Sequence, residues 1–135
     1  MKRFVLDCSV SAAWCLKDES SREADRYLDM LANGEAVVPA LWVVETSNVL
    51  VMAERRKRIA REDAEQAMEL LDQLPIVIDA EGAQSMPRLF SMASECGIAA
   101  YDASYLEVAK RLRLPLASLD RGQRVAAEKS KVRLL

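Results

Sequence analysis

Asp7, Glu45, Asp102 and Asp120 are the residues whose types and positions point to chemistry. Asp7 ends the apolar run Phe4-Val5-Leu6, and Asp120 ends Leu116-Ala117-Ser118-Leu119. In an open parallel sheet, such strand ends border the crevice where ligands bind. Glu45 shares a helical face with Leu41, Val49 and Met52, and Asp102 heads a stripe of Tyr105, Leu106 and Ala109. Each acid alone has an ordinary alternative. Asp7 (with Ser9) and Asp120 could cap the helices that follow, Asp102 could answer a helix dipole, and Glu45 could pair with a buried arginine. Together they are harder to explain by folding, because converging carboxylates repel one another and stay ionised only beside a cation. Oxygen-only ligands select a hard ion, Mg²⁺ or Mn²⁺, over zinc. Such a site suits phosphodiester hydrolysis, in which the ion activates a water and steadies charge on the phosphate oxygens. Ser9, Asn48 and Ser118 stand beside these acids as candidates to orient the surrounding waters or the phosphate. The sequence has no histidine, which excludes Ser-His-Asp and Cys-His triads and imidazole zinc sites.

The elements that must position these acids alternate along the chain. Apolar runs at Phe4–Leu6, Val37-Val38, Ile76–Ile78 and Leu116–Leu119 read as strands, and Val132–Leu134 as a last one. Between them, helical periodicity runs from a cap at Ser9 through Leu16, from Ser20 or Ser21 to Asn33-Gly34, and from Leu41 to about Arg58. It continues over Arg61–Gln73, Ala83–Glu95, Tyr101–Leu112 and Arg121–Glu128. This alternation predicts a single α/β domain over residues 1–135, with a mainly parallel sheet. The 51% hydrophobic content supplies a core, and the apolar run Ala36–Val44, interrupted by Pro39, is too short to span a bilayer.

The 19 basic and 21 acidic residues leave a net charge of −2, which argues against a partner gripped mainly through its phosphates. Local basic groups remain: Arg121 and Arg124 just past Asp120, and Arg55-Arg56-Lys57-Arg58 at the end of the Glu45 helix. The three cysteines lack Cys-x-x-Cys spacing and read as small buried hydrophobes in a reducing compartment. Asp7 breaks the first apolar stretch too early for a secretory leader, so the expected location is the cytoplasm.

The ordered stretches Val5-Leu6-Asp7-Cys8-Ser9, Pro39 through Leu50, Tyr101-Asp102 through Ala109, and Leu114 through Asp120 resemble the PIN-domain nucleases. Within that family they are most similar to the VapC-type toxins of bacterial toxin–antitoxin pairs. The resemblance implies a three-layer sandwich with a mainly parallel central sheet flanked by helices. It also implies Mg²⁺ or Mn²⁺ dependence and endonucleolytic cleavage of RNA. By it, Asp7, Glu45, Asp102 and Asp120 are the metal-binding and catalytic acids, Ser9 and Ser118 are supporting hydroxyls, and Asn48 is a further candidate. The fourth acid is the most variable in that family. A homodimer and a small antitoxin protein are implied partners. Two other readings compete: a catalytically inactive PIN-like interaction module, and a receiver- or phosphatase-type phosphoryl-transfer domain. The latter wants a second acid beside Asp7 or two residues on, where this sequence has Cys8 and Ser9.

Overall fold

Four short strands, β1 (Lys2–Leu6), β2 (Gly34–Val38), β3 (Ile76–Ile78) and β4 (Leu116–Ala117), form one sheet in the order β3-β2-β1-β4. All neighbouring pairs are parallel, with Phe4 opposite Ala36, Val5 opposite Leu116, and Val37 opposite Val77. The computed structural model describes residues 2–80 and 83–135. Among the described residues, seven helices carry the chain between and beyond the strands. They are α1 (Cys8–Cys15), α2 (Arg22–Met30), α3 (Leu41–Arg55), α4 (Arg61–Gln73), α5 (Met86–Cys96), α6 (Ala100–Leu112) and α7 (Arg121–Lys129). Parallel pairing requires such crossovers, since each strand must return to the same end of the sheet.

Alternation along the strands divides the core into two layers. Phe4, Leu6, Ala36 and Val38 pack with Val10, Tyr27 and Leu31 of the α1–α2 side. Val5 and Val37 face the other way, onto Tyr105, Leu106, Ala126 and Ala127 of α6 and α7. Burying each large side chain contributes about 2 kcal/mol. A third cluster, Leu16, Leu50, Ala53 and Ala64, ties α1 to α3 and α4. The predicted three-layer α/β sandwich is the one observed. Gly34 allows the tight join from α2 into β2: a Cβ there would lie 2.6 Å from the Lys2 carbonyl oxygen and 2.8 Å from that of Met30.

Several local expectations shift. Asp7, not Ser9, caps α1, and Ser9 lies within the helix. β4 stops at Ala117, because Ser118 leaves the ladder to bond Asp7 through its hydroxyl. The expected last strand reduces to a single parallel bridge between Leu134 and Leu116. α5 begins at Met86 behind a Ser85 cap, with Pro87 in its first turn. In α3 the fully buried face is Thr46, Leu50 and Ala53 rather than the stripe through Leu41 and Glu45. That rotation puts Glu45 at the border of the core and leaves Val43 and Val44 exposed.

Candidate active site

Asp7 is the first residue beyond β1 and is only 5% exposed. As the cap of α1, its Oδ2 accepts from the Ser9 amide at 3.3 Å, from Ser9 Oγ at 2.5 Å and from Ser118 Oγ at 3.0 Å. Among the described residues its Oδ1 receives only a long contact, 3.4 Å, from Gln123 Nε2. One oxygen is therefore saturated and the other is left open. Burial raises the Asp7 pKa above the usual carboxylate value against the lowering effect of the serine bonds, and the Asp120 charge adds to the rise.

Glu45, half-buried in the second turn of α3, is held through Oε1 by the Tyr105 hydroxyl at 2.6 Å. Its pKa is raised, first by burial and then by repulsion from Asp7 and Asp102, while the Tyr105 bond pulls the other way. Asp102 lies half-buried in the first turn of α6. Among the described residues its carboxylate has no hydrogen-bond partner, and burial, Asp7 and Asp120 all raise its pKa. Asp120 is exposed and caps α7 by accepting from the Gln123 amide at 2.8 Å. The same negative field reaches Cys8: its thiol is pushed up to about 12, first by burial and then by Glu45 and Asp7, although a Thr46 contact opposes the shift.

Each of the four acids thus belongs to one electrostatic neighbourhood. None is paired with an arginine or lysine among the described residues, where the ion pairs engage Asp18, Glu19, Glu23, Glu35, Glu54, Asp79 and Glu107 instead. The acids form no closed cage: among the described residues no three acidic or thiol groups stand close enough together to clasp an ion directly. This donor set fits magnesium, which keeps several waters and takes one or two protein carboxylates.

The other predicted residues divide by position. Ser9 and Ser118 join the Asp7 network, and their hydroxyls also receive the Leu119 and Asp120 amides, pinning the turn after β4. Asn48 is exposed and bonds none of the acids among the described residues. Arg121 is exposed at the start of α7, next to Asp120. The Arg124 guanidinium is engaged elsewhere, donating to the Ser118 carbonyl at 2.6 Å and to Glu23 at 2.5 Å. Arg55 and Arg56 lie at the far end of α3, about 15 Å along the axis from Glu45. Two contributors were not foreseen. Tyr105 reads as core in the sequence, yet its hydroxyl orients Glu45. Gln123 has the Asp-x-x-Gln spacing of a capping box, but its side chain turns inward to Asp7 and Asp102.

Fold and site define a parallel α/β domain in which acids after β1 and before α7, and on α3 and α6, share one electrostatic neighbourhood with no basic partner among the described residues. The PIN domain family model matches residues 4–129, and the chain belongs to the PIN-domain family, a class of nucleases. Among solved structures, that described as PAE2754 from Pyrobaculum aerophilum is 21% identical, with a TM-score of 0.68 over 93% of this chain and 79% of that one. The structure described as FitAcB from Neisseria gonorrhoeae is 20% identical, with a TM-score of 0.65 over 98% of this chain and 96% of that one. At these identities the likeness is one of fold. Among curated proteins, none matches the chain. No helix among the described residues is long and apolar enough to cross a membrane.

Proposed function

We propose that this chain is an Mg²⁺- or Mn²⁺-dependent endoribonuclease, the toxin of a toxin–antitoxin pair, acting in the cytoplasm. The observation that carries the reading is the convergence of Asp7, Glu45 and Asp102, each with a raised pKa and none with a basic partner among the described residues. Asp7 through its open oxygen and Asp102 through its unbonded carboxylate would hold the ion, with Asp120 and Glu45 bordering it. When bound, a hard divalent cation polarises water and offsets charge on the scissile phosphate. Glu45, held by Tyr105 at Oε1, would take a proton at Oε2 as the general base. Ser9 and Ser118 keep Asp7 in one orientation. Arg121 contacts the RNA phosphates beside Asp120, Asn48 lies on the open side of α3 one turn from Glu45, and Arg55 and Arg56 reach RNA further out.

The partners follow the same reading. Val44, Val51, Ile78, Met86 and Phe90 leave apolar surface exposed, which supports a homodimer, and a small antitoxin protein would mask the four acids. The test is direct: the purified chain is incubated with total RNA plus Mg²⁺ or Mn²⁺, and in parallel with EDTA. Discrete fragments should form only with metal, and a co-expressed antitoxin should silence them. RNA that stays intact in every arm would leave the interaction-module reading in its place.

A further inference from the structure

Gln123 is 1% exposed on the inward face of α7, beside Ala126 and Ala127. Packing alone favours an aliphatic side chain there, because a buried amide must find partners for all its polar atoms. This one does so only in part. Its Nε2 donates to the Asp102 carbonyl oxygen at 2.9 Å and reaches Asp7 Oδ1 at 3.4 Å. Its own Oε1 is buried and lacks a partner among the described residues. The orientation is dictated by chemistry: both neighbours are acceptors, so turning the amide over would set three oxygens against one another. A polar side chain kept at an inward position, with an acceptor unmet, breaks a folding rule in the place where function is expected to break it.

We propose that Gln123 is a positioning residue, which holds the open oxygen of Asp7 and the first turn of α6 at one separation so that Asp7 and Asp102 address the same cation. This rests on the metal reading above. Gln123 is buried away from solvent and acts through the two acids. The residue joins three elements, the end of β1, the start of α6 and the first turn of α7, and among the described residues no other side chain bonds all three.

The test uses the full chain with Mn²⁺ alone as the probe, comparing wild type, Gln123→Met, Gln123→Leu and Asp102→Asn. Spin resonance of free Mn²⁺ gives affinity, the line shape of bound Mn²⁺ gives the symmetry of its surroundings, and melting without metal gives fold stability. Both Gln123 variants should melt at or above the wild-type temperature, because the unmet oxygen is gone. Their Mn²⁺ affinity should fall about ten- to a hundredfold, the loss typical of groups that orient metal ligands, and the bound line shape should change. Unchanged affinity and line shape in Gln123→Met overturn the proposal, as does an affinity loss matched by an equal loss of metal-free stability. Wild-type binding that ignores Asp102→Asn overturns the metal reading itself, and this inference with it. Binding that needs Asp102 but not Gln123 overturns this inference alone.

Discussion

Helix α6 carries two buried or half-buried acids five residues apart, and their surroundings are opposite. Glu107 is 1% exposed and fully answered: Arg111 donates to it at 2.8 and 3.1 Å, Arg88 adds a contact at 3.3 Å, and Arg111 also binds Asp79 after β3. Burial pushes the Glu107 pKa up, but the hydrogen bonds and charge of Arg111 outweigh it and bring the value below the ordinary one. Asp102, in the first turn of the same helix, has no basic partner among the described residues and a raised pKa. A carboxylate that serves the fold is paired with a cation from the chain. In the proposed function Asp102 stands open because its cation arrives from outside, at a cost to the metal-free protein.

Breaking the open end should have the largest effect. Asp102→Asn is expected to lower RNA cleavage at least a thousandfold, while urea unfolding of the metal-free protein shows equal or greater stability, since a repelled charge has been removed. Breaking the paired end should do the reverse. Arg111→Met leaves Glu107 buried without its main partner and should cost about 3–5 kcal/mol in the same unfolding experiment. Adding Mn²⁺ to a hundredfold excess over Kd should stabilise the wild type by about 2.7 kcal/mol, seen as a higher melting temperature, and the shift should be absent in Asp102→Asn. A smaller loss, about 1 kcal/mol of stability with a several-fold drop in cleavage, is expected for Tyr105→Phe, which frees Glu45.

The two ends should also separate by pH. Asp7, Glu45 and Asp102 have raised folded-state values, so each weakens the metal-free fold once pH rises past the unfolded carboxylate pKa and on through its folded one. Lowering pH from neutrality therefore removes that penalty. Glu107 has a lowered value, so its contribution is present above the unfolded pKa, near 4.3, and is lost as pH falls through the folded one. Metal-free stability should accordingly rise on mild acidification and fall below about pH 4, with the first limb flattened in Asp102→Asn.

Much of this molecule was legible in its residues. β1 is buried on both faces and reads as the apolar run Phe4–Leu6, the edge strand β3 shows as the β-branched run Ile76–Ile78 although Val77 and Ile78 are exposed, and the acids after β1 and Leu119 marked the crevice. The α3 face was harder. Leu41, Trp42, Val43 and Val44 are apolar nearly all round, so periodicity could not say which side faces inward, and the structure exposes Val43 and Val44. Glu107 gave no sign of burial, because Arg88, which donates to it, and Asp79, which shares its Arg111, are distant in sequence and come to it only in the folded chain. Gln123 and Tyr105 were hidden for the same reason: each has an ordinary local explanation, a cap box and a core aromatic, that masks a long-range bond. Arg124 shows the converse, a basic group beside the site that the fold has already engaged through Glu23 and the Ser118 carbonyl.

The central claim is that Asp7 and Asp102 serve one ion, and titration calorimetry of Mn²⁺ into wild type, Asp7→Asn, Asp102→Asn and the double variant tests it most directly. Groups sharing an ion should be strongly non-additive, so the account predicts wild-type binding that either single change nearly abolishes, with little further loss in the double. Wild-type protein that takes up no Mn²⁺, or losses that simply add, would contradict it.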